Sequence, residues 1–518
     1  MSTPTKKAIV VGAGPVGCLS ALSLANKGWN VIIWEGRPDP KSPEAEKETI
    51  RSVNLAISAR GISALHAIEP EISDELLSLA LPMKGRMIWD FENKQESQLY
   101  DPHHGSAINS ISRQIISQTL LDKVSAHPSI TVVFNRKIAK IDWARRRLFQ
   151  EGERGAWVED GGEEGWDLLV GADGNWSKVR SEIMRVQPSS YSQHQIQHIW
   201  IELRLPPGPP NNATGEDSTF SISPEHLHIW PRHEFMLIAL PNKDKSFTMT
   251  LYAPIQSIVP LNSRAKARAF FRKHFGTRTL ENPVDILSMM GEDQVLDDFE
   301  NARRGGLTTI RVDPVGYQDG SAVLVGDAGH SMVPFYGQGL NAGLEDIRVL
   351  DLVFQSHGIT GQAGTEADVK QCLKEYSVGR KADLDAILEL AMNNYEEMRS
   401  HVLTPLHHIR RKLDYVLTTL FPSPPPTAAS LSALSRSSGE PFPTRTVNRW
   451  TTLYSMVTFR PDVPYAEALR REMFQRKVLG RWIKAVVVGT GAGVFWAVWA
   501  GLNLGKKLKL RGHRGRFV

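Results

Sequence analysis

Apolar residues bunch at Lys7–Val11 (KAIVV), yield to a glycine-rich stretch at Gly12–Gly17, recur at helical spacing from Cys18 to Lys27, and bunch again at Val31–Trp34. A short apolar run marks a strand buried on both faces, and a period near 3.6 marks a helix. The opening therefore reads as strand–turn–helix–strand, the βαβ unit that begins a parallel sheet. From about Glu182 to Pro254 the pattern predicts strands instead, at His198–Leu205, His226–Trp230, Glu234–Leu240 and Ser246–Tyr252, with a hairpin around Asn242–Lys245. Ser263 is placed to cap a helix that runs to His274. A buried strand at Ala322–Val325 precedes two long helical patterns, Leu340–His357 and Asp368–Arg399. Phe421–Arg445 is rich in Pro and Ser and reads as a loop.

A different pattern closes the chain. Ala485–Leu504 is a run of 20 residues without a charge, and as a helix rising ~1.5 Å per residue it would span ~30 Å, the thickness of bilayer hydrocarbon. Trp482 suits the headgroup level, and Gly489 with Gly493 could let two such helices approach. Across 518 residues the 61 Lys+Arg and 56 Asp+Glu give a net charge of +5. Ten of those bases and no acid fall in 473–518, so residues 1–472 carry 51 bases against 56 acids, a net of −5. The basic excess belongs to a tail and does not point to nucleic acid. With 41% hydrophobic and 23% charged residues, the bulk is neither polytopic nor disordered. Two cysteines, Cys18 and Cys372, cannot form a disulfide framework. No signal peptide opens the chain, so a C-terminally anchored protein with its bulk in the cytosol is expected. The base-flanked anchor resembles those of the mitochondrial outer membrane.

Three glycine–aspartate corners carry the chemistry. Gly12, Gly14 and Gly17 fit G-x-G-x-x-G between strand and helix: a tight turn, close backbone approach to a pyrophosphate, and close helix–strand packing. Glu35, 18 residues after Gly17, ends the next strand where a carboxylate can accept ribose hydroxyls. Asp173-Gly174 follows an apolar strand and precedes a helix carrying Arg180. Gly326-Asp327 follows another, and Asp327 could accept a ribityl hydroxyl. After it, Gly337-Gln338-Gly339 lets amides at a helix start approach an isoalloxazine. No second G-x-G-x-x-G exists for NADPH, which fits a donor that binds transiently. Sixteen histidines show no metal-ligand spacing. His330 reads as a structural hydrogen-bonding group at its turn.

The ordered corners resemble the single-component flavoprotein aromatic hydroxylases. Within them, Arg51–Ala56, Pro82–Ile88, Ser110–Arg113, Val333–Gly343, Ala391–Tyr395 and Leu453–Phe459 resemble the kynurenine 3-monooxygenases. That resemblance implies FAD bound by Gly12, Gly14, Val16, Gly17, Glu35, Arg37, Ala56, Arg113, Ile138, Asp173, Asp327, Gly339, Leu340 and Asn341. It implies NADPH and O2 as co-substrates and L-kynurenine hydroxylated at ring position 3 through a flavin C4a-hydroperoxide, in tryptophan degradation toward NAD. Arg86, Tyr100, Asn394 and Tyr454 would bind the substrate's amino-acid end, with Pro334, Phe335 and Gly337 as pocket wall and no protein base required. The rivals are a flavin hydroxylase or epoxidase acting on a lipid, and a non-catalytic relative that escorts prenylated proteins.

The expected fold is α/β: a Rossmann-like FAD domain in three parts (1–75, 105–181, 306–358), an inserted antiparallel substrate sheet (76–104, 182–305), a helical C-terminal region (366–478) and an anchor with basic tail (479–518). Deleting residues 479–518 is expected to move the protein from the membrane pellet to the soluble fraction; continued pelleting would reveal a second attachment.

Overall fold

Parallel pairing needs strands that are apolar on both faces, and the chain supplies five of them. In the computed structural model they lie in the order Ala322–Leu324, Leu168–Gly171, Lys7–Val11, Asn30–Trp34, Ile130–Val133, all parallel. Ala8, Ile9, Val10, Leu168, Leu169 and Val170 are fully buried, which is why these runs show no polar alternation. The structure describes residues 5–43, 54–152, 157–211, 217–276, 285–302, 304–399, 405–421 and 449–481. Residues 1–466 form one compact unit and 467–518 a second.

The strand order reverses beside Lys7–Val11: the chain steps to Asn30–Trp34 on one side and later returns to Leu168–Gly171 on the other. Ligands of open parallel sheets bind outside the carboxyl ends of strands at such a reversal. Gly12, Asp173 and Gly326 follow the ends of three adjacent strands there, so motifs far apart in sequence converge on one edge.

A seven-stranded sheet takes the order Arg304–Asp313, Ser190–Leu205, Phe247–Pro254, Phe235–Pro241, His226–Arg232, Gly85–Trp89, Gln95–Leu99. It is antiparallel except where His226–Arg232 meets Gly85–Trp89. One core joins its Ile201, Trp230, Leu237 and Leu251 to Phe271 and Phe275 of the helix Arg264–Phe275 and to Val295 and Phe299 of Glu292–Asn301. Ser263 Oγ accepts from the Lys266 N–H, the expected cap. A small sheet of Asn54–Ile57, Ile108–Ser112 and Leu81–Met83 stands apart from both, as does an antiparallel trio over 138–142, 147–151 and 157–164.

Two strands depart from the pattern reading. Ser190–Leu205 begins eight residues before the expected His198, because its first half is exposed and polar and pairs only with Arg304–Asp313. Arg304–Asp313 itself crosses the boundary expected at 305–306. Gly305 is glycine for packing: a Cβ there would lie 2.2 Å from the Trp200 indole nitrogen. The long helices run Gly339–Ser356 and Glu366–Arg399, and a further one Pro405–Leu420. Among the described residues no helix is long and apolar enough to cross a membrane. The run 485–504, and the loop of 421–445 beyond its first residue, lie outside the described residues.

Candidate active site

Close packing makes the first corner glycine. Gly12 has φ +101°, donates its N–H to Trp34 O at 2.8 Å, and has no room for a side chain, since a Cβ would sit 2.5 Å from Ala172 O. On Gly17 a Cβ would lie 1.9 Å from Gly12 O, a clash that only glycine avoids. Gly14 is different: a Cβ there meets no atom within 4 Å, so this glycine keeps clear the space a pyrophosphate needs. Behind it the helix Pro15–Asn26 begins with proline, and its first intrahelical bond is Cys18 N–H to Gly14 O at 2.9 Å. The amides of Val16 and Gly17 are thus left for an anion at the positive end of the helix. The Val16 side chain packs against Gly326 and Gly343, joining the first corner to the third.

Glu35 is buried and accepts from the Ala13 N–H at 2.7 Å and the Arg37 N–H at 2.9 Å, with Arg37 Nε also at 2.9 Å. Burial pushes its pKa up, but the hydrogen bonds and charge of Arg37 and the two amides outweigh this and hold it below the usual carboxylate range. Arg37 is exposed and committed to Glu35. The segment before Ile138 lies alongside, Arg136 N–H donating to Glu35 O at 2.8 Å. The Ile138 side chain itself is in the core, which leaves its backbone as the part that could meet a cofactor.

The second corner is built around a helix start. Asp173 accepts from Ser177 Oγ at 2.6 Å and from the N–H groups of Lys178 (2.7 Å) and Val179 (3.2 Å), so its carboxylate caps the start of the helix Lys178–Val186. Arg180 from that helix donates to Ala328 O at 2.8 Å and Asn175 O at 2.7 Å, tying the second corner to the third.

At the third corner Gly326 (φ +58°) donates its N–H to Asp346 at 2.9 Å. Asp327 is reached by solvent though surrounded by protein; desolvation raises its pKa more than the charges of His330 and Arg113 lower it, and Asp346 adds to the rise. Arg113, exposed at the start of the helix Arg113–Ala126, is thereby placed near Asp327. His330 is buried and pairs through Nε2 with Asp346, the structural bond expected of it. The Asn341 side chain serves the protein. Fully buried, it accepts from the Ser58 N–H at 2.9 Å and donates to Ala56 O at 2.9 Å and Gly337 O at 2.7 Å. It therefore pins the Gly337 turn (φ +66°) to the strand Asn54–Ile57, beside Ala56, and its side chain has nothing left for a cofactor. The amides of Gly339, Leu340 and Asn341, at the first helical positions, have no partner within the helix and remain for a flavin. An open cradle at Gly14, an ionised acceptor at Glu35 and free amides at Gly339–Asn341 fit FAD.

Beside the Gly337 turn stands an aromatic pocket. Arg86, on the strand Gly85–Trp89, has its guanidinium carbon 5.1 Å from the Tyr454 ring centre and 5.9 Å from that of Tyr100. The Tyr100 and Tyr454 rings stack at 4.5 Å, and Tyr336 stacks on Tyr454 at 5.9 Å. Among the described residues no carboxylate lies within 4.0 Å of the Arg86 guanidinium. Burial works against its charge, but the oxygens of Tyr100 and Tyr454, then Glu397 and Tyr336, outweigh this and raise its pKa. Burial likewise raises the pKa of Tyr100 and Tyr454, so both phenols stay protonated donors. The Tyr100 hydroxyl is buried without a well-formed hydrogen bond.

Asn394 is buried and donates to Phe335 O at 2.7 Å, so it holds the pocket wall in place rather than presenting that amide to a substrate. Phe335 lies between Tyr395, stacked at 4.2 Å, and Tyr252, edge-on at 4.9 Å, while Pro334 is exposed. Sequence reasoning missed Tyr336 and Glu397. The spacing held a signal for Glu397: it follows Asn394 by three positions, one turn along the same face of Glu366–Arg399.

A family model for an FAD binding domain matches residues 5–389. A kynurenine 3-monooxygenase of Cryptococcus neoformans is 48% identical over 96% of this chain and 97% of its own length. Those of Candida albicans and Saccharomyces cerevisiae are 39% and 35% identical, each over 93% of this chain and over 94% and 95% of their own. Among solved structures, 2-methyl-3-hydroxypyridine-5-carboxylic acid oxygenase superposes with a TM-score of 0.56 at 18% identity, over 77% of this chain and 94% of that one. Klebsiella pneumoniae HpxO complexed with FAD and uric acid gives 0.56 at 17% identity, over 84% and 94%. At such identities these two show the fold alone.

The glycines make separable predictions. Gly17→Ala is expected to cost about 1–3 kcal/mol, read as a lower thermal midpoint of the cofactor-free protein. Gly14→Ala should leave that midpoint unchanged and weaken FAD binding, measured by flavin fluorescence quenching.

Proposed function

The chain belongs to the FAD-binding family of the kynurenine 3-monooxygenases, and from that premise we propose that it hydroxylates the ring of L-kynurenine at position 3, consuming O2 and NADPH. The observation that carries the reading is the Arg86 guanidinium, half-buried and ringed by neutral phenols with no carboxylate in ion-pairing reach among the described residues. Such a cation suits a ligand that brings its own carboxylate. A wholly apolar substrate would leave it desolvated and unpaired, which is costly.

L-Kynurenine has an α-carboxylate, an α-ammonium and an aromatic amine. Arg86 takes the carboxylate, with the protonated phenols of Tyr100 and Tyr454 as further donors. Glu397, half-buried and acting on Arg86 through its charge, supplies the opposite sign for the ammonium. Phe335, gripped by Tyr395 and Tyr252 and held at its carbonyl by Asn394, gives the ring a rigid apolar wall that excludes water. Bound FAD supplies hydride acceptance and oxygen activation. The substrate's amine already enriches the ring, so no strong protein base is needed. Asp327 and the amides of Gly339–Asn341 would hold the flavin.

The same reading includes anchorage in the mitochondrial outer membrane by 485–504, with the catalytic part toward the cytosol. Its support is the length of the uncharged run, its basic flanks and Trp482.

NADPH oxidation by the purified protein should depend on kynurenine and yield a product heavier by one oxygen atom. Arg86→Ala is expected to raise the KM for kynurenine about 30- to 100-fold with FAD content unchanged. Glu397→Gln should raise it about five- to tenfold and erase preference over an analogue lacking the amino group. An unchanged KM in Arg86→Ala would remove that residue from the site.

A further inference from the structure

Arg60 is 1% exposed on the helix Ala59–Ile68, and none of the flavin or pocket roles above requires it. Its Nη1 donates to Glu345 Oε1 at 2.6 Å, on the helix Gly339–Ser356, whose first-turn amides would hold the flavin. The other donors go to one place: Nε to Val457 O at 3.2 Å, and Nη2 to Arg460 O at 3.1 Å and Val463 O at 2.8 Å. These carbonyls belong to the end of the helix Leu453–Phe459 and the residues just beyond it. A cation there satisfies carbonyls that lack intrahelical partners and complements the negative end of the helix dipole. That helix presents Tyr454 to the Arg86 pocket.

The Tyr465 ring lies over the Arg60 guanidinium at 4.0 Å, and its hydroxyl donates to Gln338 Oε1 at 3.0 Å. Gln338 is itself buried, stands between Gly337 and Gly339, and its carbonyl accepts the Ala342 N–H at 2.7 Å. One continuous set of contacts therefore runs from the residue that precedes the helix Gly339–Ser356, through Tyr465 and Arg60, to the helix that carries Tyr454.

We propose that Arg60 and Tyr465 are positioning residues that hold Tyr454 and the Gly337–Gly339 turn in one register, so that occupancy of the Arg86 pocket is felt at the flavin. This rests on the kynurenine reading above. A shift of Leu453–Phe459 on binding an amino acid at Arg86 would act on Gln338 through a single hydroxyl, and a rigid hydrogen bond between buried groups transmits such a shift where a packing contact would absorb it.

Tyr465→Phe removes that hydroxyl while keeping the ring over Arg60; Gln338→Leu removes the acceptor. FAD-loaded full-length protein is compared with each variant and with the double variant. The readouts are the change in flavin absorption on adding kynurenine, the peroxide released per NADPH oxidised (NADPH + H+ + O2 giving NADP+ + H2O2), and amide hydrogen exchange at Gly337–Leu340 without kynurenine. Tyr465→Phe should retain FAD and bind kynurenine, yet lose most of the flavin response and release about fivefold more peroxide per NADPH. Exchange at Gly337–Leu340 should quicken about fivefold. The double variant should be no worse than either single one. A lower thermal midpoint with flavin response, peroxide share and exchange all unchanged would make the hydroxyl a packing detail and overturn the proposal. If the unmodified protein ignores kynurenine, the substrate reading falls, and the joint is then judged on exchange alone: faster in Tyr465→Phe upholds it, unchanged overturns it.

Discussion

Two neighbouring carboxylates inside one helix govern the arrangement. Glu345 and Asp346 of Gly339–Ser356 are both buried, and a buried ion must be paired or the structure loses several kcal/mol. Glu345 is met by Arg60 at 2.6 Å, Arg380 at 2.8 Å and Arg348 at 3.1 Å. Burial pushes the Glu345 pKa up, but the three guanidinium charges bring it down to about 2. Asp346 is met by His330, by Arg380 at 3.0 Å and by the Gly326 N–H at 2.9 Å. Arg348 lies on the same helix, and the other partners come from the second helix of the chain, the third corner and the long helix Glu366–Arg399. Removing one partner would strand a charge, at roughly 3–5 kcal/mol, so the helix cannot slide or rotate on its axis. The amides that close its first turn keep a fixed place as a result.

Work is divided differently at the two ends of the site. At the dinucleotide end the ligand groups are backbone: glycine clears space and helix starts offer amides. Polar side chains in the motifs there mostly serve that backbone, as Asp173 does for its helix and Asn341 for the Gly337 turn. At the substrate end the ligand groups are side chains, and only Asn394 reverts to holding backbone. A motif residue is thus no guarantee of ligand contact.

Much of this was legible in the sequence because it is local. An apolar strand, a glycine turn and a helix within a few dozen residues announce themselves by period, and three such corners in order brought Glu35, Asp327 and Gly337 to one edge. The Arg86 pocket was reached through its resemblance, since nothing about a lone arginine on a short strand reveals phenols from positions 100, 336 and 454. Arg60 and Tyr465 could not be read at all: their partners lie some 285 and 127 residues away, and a buried arginine looks in sequence like an exposed one. Arg304–Asp313, for which the pattern reading gave no strand, holds a glycine pair whose reason, the Trp200 indole, is equally distant.

The charge pattern around Arg86 follows from the same economy. Elsewhere among the described buried arginines, Arg380 touches Glu345, Asp346 and Asp383, Arg460 pairs with Asp462 at 2.7 Å, and Arg180 and Arg232 donate to backbone carbonyls. Arg86 alone among these is surrounded by neutral phenols, and Glu397 acts on it from beyond ion-pairing distance. A carboxylate in contact would have stabilised the empty pocket and competed with an incoming one. Phenols avoid that competition: their ring faces favour the cation, their hydroxyls can donate to an anion, and burial keeps them protonated. The Arg86 guanidinium is therefore left without a contacting carboxylate, and the molecule that completes the pocket is one that carries a carboxylate to it.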